Sequence, residues 1–248
     1  MVFLVLAKIK SVITGEKDVL SIRLPRHITI TLHGIQEWVP KNNISYEEAY
    51  KKSFLILNNI IQSQIKLKIP ILSFYVLDAD YDREGESYAY LLDSIVEMLN
   101  ELSSEKFVHE NKVKISVIGK WYNLPSRVVD AIKKVIEETK DYDGFFVNLC
   151  INYNGQEEIV NAVKLLGMQI KAGKMDPELI DKELIKENIY TSYFLPPNLM
   201  IKNGSSKETS GFLLWDSINT KIYFTNKLWP DFDDAEFTDA IKEYQKGS

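Results

Sequence analysis

The stretch HITITLHGIQEW, residues 27–38, opens as a strand: His27 to Leu32 alternates β-branched and polar residues, then breaks at Gly34. A strand ending on glycine early in a chain is a common place for a phosphate or metal site in α/β proteins. The side chains on offer there are His33, Gln36 and Glu37, with no Asp, Arg or Lys. Outward from this point the pattern recurs. Runs at 70–77 (PILSFYVL), 113–118 (VKISVI) and 145–151 (FFVNLCI) are short and nearly all apolar, as strands covered on both faces are. Apolar residues at helical spacing fill the gaps between them, over 45–65, 86–102 and 126–138. Alternating strands and helices predict an α/β fold with a mostly parallel central sheet flanked by helices. Helices are also predicted at 156–172 and 178–187, a short strand at 198–202 and a last helix from Asp233 to Tyr244. No repeat or linker divides the chain, so 1–248 reads as one domain.

Composition narrows the function classes. A net charge of −5 argues against a nucleic-acid binder. The single cysteine, Cys150, lies in an apolar run and reads as a small buried hydrophobe in a reducing compartment. The N-terminal MVFLVLAKIK is too short to span a membrane, where about 20 apolar residues are needed. It reads as a sticky amphipathic start, so a cytoplasmic protein with at most peripheral membrane contact is expected. Of 30 basic residues only Arg23, Arg26, Arg83 and Arg127 are arginine. Any phosphate clamp in the C-terminal half must therefore rest on lysine and backbone N–H groups.

Each predicted strand end carries one candidate. His33 follows the first strand with no second ligand beside it, and reads most simply as a loop-lining histidine. Asp78, Asp80 and Asp82 follow the second and could hold Mg²⁺ or Ca²⁺, although a solvated acidic turn explains them as well. Asn154 and Gly155 open a helix whose first turn already carries Glu157 and Glu158, which favours simple capping over anion binding. The loop IKNGSSKETSGF, 201–212, could cradle a phosphate through its backbone, but lacks the spacing of a nucleotide-binding loop.

In order, LPRHITITLHGIQEW, ILSFYVLDADYDR, VIGKWYNLP, NYNGQEEIVNAVK and the segment from LPPNLMIKNGSS to FLLW and WPDF resemble the motifs of the cis-prenyltransferases. That family makes undecaprenyl and dehydrodolichyl diphosphates. The resemblance spans roughly residues 20–245 and implies the fold predicted above. It also implies joining of isopentenyl diphosphate to an allylic diphosphate, with Mg²⁺, a strand-end aspartate and several arginines around the diphosphates. Matched to those motifs, Gly34, Lys202 and Ser210 stand at substrate-binding positions. Phe212, Leu213, Trp215, Tyr223 and Trp229 stand in the segment that forms the family's core and dimer contact.

Several family positions are changed. His33 stands for the aspartate, Glu37 for an arginine, Gln156 and Glu208 for two more, and Lys221 for a metal-site glutamate. These exchanges predict a degenerate, non-catalytic subunit with no catalytic residue, metal or cofactor, dimerising with itself or with an active homologue. A prenyl lipid or prenyl diphosphate is the expected ligand. One alternative is an active prenyltransferase using Asp78, Asp80 or Asp82 for Mg²⁺ and Lys202 for phosphate. Another is a non-catalytic homodimer that binds prenyl lipid.

Overall fold

Strand β1 (His27–Thr31) alternates in sequence, yet all five of its residues are buried in the computed structural model, which describes residues 24–246. The reason is its place in the sheet. Six parallel strands lie in the order β3-β4-β2-β1-β5-β6, so β1 is interior and covered on both faces. The others are β2 (Ile71–Asp78), β3 (Val113–Ile118), β4 (Phe145–Tyr153), β5 (Leu199–Asn203) and β6 (Lys221–Thr225). Two of the three polar residues of β1 are buried with partners, while the Thr29 hydroxyl has none. His27 bonds Leu195 O at 2.6 Å and Ser73 Oγ at 2.8 Å, while Thr31 donates to Asn203 Oδ1 at 2.7 Å.

The helices are α1 (Ile35–Asn42), α2 (Tyr46–Lys66), α3 (Glu86–Ser104), α4 (Lys106–Glu110) and α5 (Ser126–Thr139), then α6 (Gly155–Lys171), α7 (Lys182–Asn188) and α8 (Asp234–Lys246). Local chemistry sets their starts. Ser45 and Glu48 form a reciprocal capping box on α2, and Asn154 accepts from the amides of Gln156 and Glu157 on α6, as expected of a cap. The predicted helix 178–187 is divided. Asp176 opens only a short 3₁₀ turn, and α7 begins after Asp181, whose carboxylate accepts from Leu184 N.

One sheet face packs Ile28, Ile30, Phe74 and Leu149 against α1–α5, α8 and Trp229. The other packs Tyr75, Cys150, Tyr153 and Met200 against Phe212 and Leu213, so Cys150 is the buried hydrophobe expected of it. Trp229 is an internal anchor: its indole N–H donates to Ser53 O at 3.1 Å and its ring stacks on Phe232. Among the described residues no helix is long and apolar enough to cross a membrane. The apolar N-terminal run lies outside the described residues.

From β1 the strands proceed one way to β2, β4 and β3, and the other way to β5 and β6. The order thus reverses between β1 and β5, and open α/β sheets bind ligands beyond the carboxyl ends of strands at such a point.

Candidate active site

A cavity of about 470 Å³ opens at this reversal, beyond the ends of β1, β2 and β5. Its floor starts with Gly34, the residue before α1, whose φ of 99° lies in the left-handed region. A Cβ there would come within 2.6 Å of Leu228, so only glycine makes this turn without strain. The turn aims the start of α1 at the cavity, where Gly34, Ile35, Gln36 and Glu37 all contribute to the wall. No side chain caps this helix, so its first amides have no side-chain acceptor.

His33 is fixed by β5 and the chain beyond it. Asn203 accepts from His33 N at 3.3 Å and donates to His33 O at 3.2 Å, and Trp229 N donates to the same carbonyl at 2.9 Å. Lys202, only 1% exposed, brings its ammonium to His33 Nδ1 at 2.5 Å. Burial, helped by the neighbouring lysine charge, holds the His33 imidazole down at about 4, so it is neutral near pH 7 and accepts that bond. Burial also pulls Lys202 down to about 8, against the attraction of Glu208 and Asp78. Near neutral pH the pair therefore carries one positive charge.

The β2 side supplies the acids. Asp78, Asp80 and Asp82 all line the cavity. Asp78 accepts from Asp80 N at 2.9 Å, Asp82 from Glu84 N at 2.9 Å, and Asp80 from the Asn154 amide at 2.7 Å. Among the described residues none of the three forms an ion pair. Leu32, Phe54, Val76 and Leu91 make the remaining wall apolar. At the rim Tyr81 ties three elements together, accepting from Gln36 at 3.0 Å and bonding Tyr50 at 3.0 Å and Ser87 at 2.9 Å. One cavity thus joins an imidazole backed by a buried ammonium, a helix start, oxygen donors and an apolar wall.

Comparison with known proteins matches that chemistry. The family model described as "Putative undecaprenyl diphosphate synthase" matches residues 32–248. The chain belongs to this cis-prenyltransferase family. It is 30% identical over 230 residues to an isoprenyl transferase of Oceanobacillus iheyensis, covering 90% of this chain and 88% of that one. It is 31% identical over 229 residues to a tritrans,polycis-undecaprenyl-diphosphate synthase (geranylgeranyl-diphosphate specific) of Methanocaldococcus jannaschii, covering 90% and 81%. Among solved structures it resembles lavandulyl diphosphate synthase from Lavandula x intermedia in complex with dimethylallyl diphosphate. The TM-score is 0.86 at 25% identity, covering 90% of this chain and 95% of that one.

These relatives overturn the expectation of a degenerate, non-catalytic subunit, because the cis-prenyltransferases it matches along most of its length are named as working transferases. The fold supplies the physical reason. Exchanges judged one at a time looked like losses, but the cavity sets one exchanged residue, His33, among Asp78, Asp80 and Asp82 with Lys202 bonded behind it.

Of the expected substrate positions, Gly34 lines the cavity and Lys202 lies beneath it on His33, whereas Ser210 is exposed and outside the cavity lining. Of the expected dimer-contact residues, Phe212, Leu213 and Trp229 are buried in this chain's own core, with 0%, 1% and 0% exposure. Trp215 and Tyr223 are half-buried, and the outward apolar side chains nearby are Leu214, Ile218, Ile222 and Phe224. Glu37 points away from a clamp role: it pairs with Lys41 at 2.5 Å, which lowers its carboxyl below the usual range. Gln156 and Glu208 are exposed. Sequence reasoning missed Asn203 as the clamp on His33 and Tyr81 as the rim bridge. Asn203 falls one residue past the predicted strand 198–202, with no motif to mark it.

Proposed function

We propose that this chain is an active prenyltransferase that condenses isopentenyl diphosphate with an allylic diphosphate in the β1–β5 cavity. The observation that carries this reading is the Lys202 ammonium, buried at the strand-end cavity with no carboxylate partner in ion-pair distance among the described residues. A buried cation without a counter-ion is costly unless an anion arrives to meet it. A diphosphate is such an anion.

The chain's own groups divide the work. Lys202 and the first amides of α1 bind diphosphate oxygens and stabilise the charge that grows as the allylic C–O bond breaks. The wall of Leu32, Phe54, Val76 and Leu91 holds the prenyl chain and keeps water from the allylic cation. The Tyr81 bridge fixes the rim by joining α1, α2 and α3.

Mg²⁺ is the metal the family implies. Among the described residues no three His, Cys, Asp or Glu groups form a ready-made cage. Mg²⁺ does not need one, since it is usually held by one or two carboxylates with substrate phosphates and water. Asp78, Asp80 and Asp82 are hard oxygen donors in the cavity without ion-pair partners, so they fit, and they are the residues that would hold it. When bound, the metal neutralises charge on the departing diphosphate.

Pairing with a second copy through the face that exposes Leu214, Ile218, Ile222 and Phe224 is part of the same proposal, with sedimentation of the purified chain as its check. The activity itself is tested by incubating the chain alone with labelled isopentenyl diphosphate, an allylic diphosphate and Mg²⁺. Labelled polyprenyl product that disappears with EDTA supports the reading. No product from any allylic diphosphate from C5 to C20 rejects it.

A further inference from the structure

The His33–Lys202 contact goes beyond binding a phosphate, though it rests on the cavity being a diphosphate site. Buried ammonium groups normally meet a carboxylate. Lys202 instead meets a ring nitrogen 2.5 Å away, on a residue 169 positions distant in sequence. The other charged and titratable groups around the pair lie further off or are engaged. Asp78 and Glu208 act on Lys202 only at longer range, Glu37 is held by Lys41, and the Tyr75 ring lies 6.0 Å from the imidazole. The second ring nitrogen of His33, Nε2, has no hydrogen-bond partner among the described residues, and His33 lines the cavity.

Two cations this close repel strongly even in a well-screened protein environment. The free pair therefore holds one charge. A diphosphate entering beside it reverses the balance, because each added proton then gains an anion partner. We propose that His33 takes up a proton from solvent when a diphosphate enters the cavity, so that His33 and Lys202 meet the ligand as two cations. The proton comes from bulk water or buffer to Nδ1, since Nε2 already carries the ring proton of the neutral form that accepts from Lys202. Lys202 keeps its three protons and turns one N–H from Nδ1 to a diphosphate oxygen. No covalent bond to the ligand forms or breaks. In this way a histidine at the family's aspartate position contributes positive charge in place of an arginine clamp.

The chain has only three histidines, which makes the proposal directly observable. His27 and His109 have both ring nitrogens engaged, so His33 alone presents one to the cavity. The experiment is ¹H–¹³C imidazole NMR of the full chain at pH 6.5 in EDTA, with and without saturating inorganic pyrophosphate, using His33→Gln to assign the signal and ³¹P spectra to follow binding. The free chain is expected to show neutral His33, and the bound chain the full shift to the protonated position. A His33 signal that stays neutral while ³¹P spectra report bound pyrophosphate overturns the proposal, and so does failure of pyrophosphate to bind. Protonation without any prenyl transfer in the separate turnover assay would leave this inference standing and remove the proposed activity. Turnover with His33 unprotonated would do the reverse.

Discussion

Lys186 and Lys202 are both drawn into the protein, and their surroundings could hardly differ more. Lys186, at the end of α7, donates to Asp216 at 2.6 Å and to Thr191 O at 2.7 Å. Thr191 in turn donates its hydroxyl to Asp216 at 2.6 Å and its amide to Glu158 at 3.1 Å, and Glu158 also accepts from Tyr153 at 2.6 Å. Every charge in that cluster has a partner, and burial pushes the Glu158 carboxyl up. Such a closed network fixes the packing of α6 and α7 against the 213–219 segment and has nothing left to offer a ligand. Lys202 is more deeply buried, and its hydrogen-bond partner is the imidazole of His33, which lines the cavity. The contrast separates a lysine that holds the fold from one that awaits an anion.

Four perturbations sharpen this contrast, in falling order of expected effect. Lys202→Gln should lower kcat/KM by about 100- to 1000-fold, the usual cost of losing a charge-stabilising donor, while the thermal midpoint stays level or rises. A midpoint that drops in proportion to activity would make Lys202 structural as well. Asp216→Ala should do the opposite, destabilising the chain by about 3 kcal/mol in urea titrations with kcat nearly unchanged below the unfolding transition. Gly34→Ala should cost about 1–3 kcal/mol for backbone strain, with further displacement of Leu228, and should raise KM because the α1 amides are re-aimed. Last, kcat/KM reports the free enzyme, whose Lys202 loses its charge as pH rises through about 8. Because binding also takes up a proton at His33, the rate constant should fall about tenfold per pH unit near neutrality. It should fall about tenfold further by pH 9 as Lys202 discharges, with that second fall absent in Lys202→Gln.

Much of the scaffold was legible because its strands and helices are long and strongly periodic. The run at 70–77 buries almost continuously, the edge run at 113–118 buries three of its six residues, and Ser45 and Asn154 stand where caps are needed. Strand β6 was not legible. KIYFT is an edge strand that pairs only with β5 and exposes three of its five residues, so no burial pattern marks it. Helix α1 escaped notice because it is eight residues long and contains Pro40. The site was harder still. His33 and Lys202 are neighbours only after β5 lies beside β1, and taken singly one stands for an aspartate and the other at a substrate-binding position. Their combined chemistry exists in the fold, not in either motif.

The most direct test of the account is prenyl transfer by the purified chain alone, compared with its Lys202→Gln variant under the same Mg²⁺ and labelled isopentenyl diphosphate. The account predicts metal-dependent polyprenyl product from the native chain, reduced about 100-fold or more in the variant. Equal product from both, or none from the native chain, would contradict it.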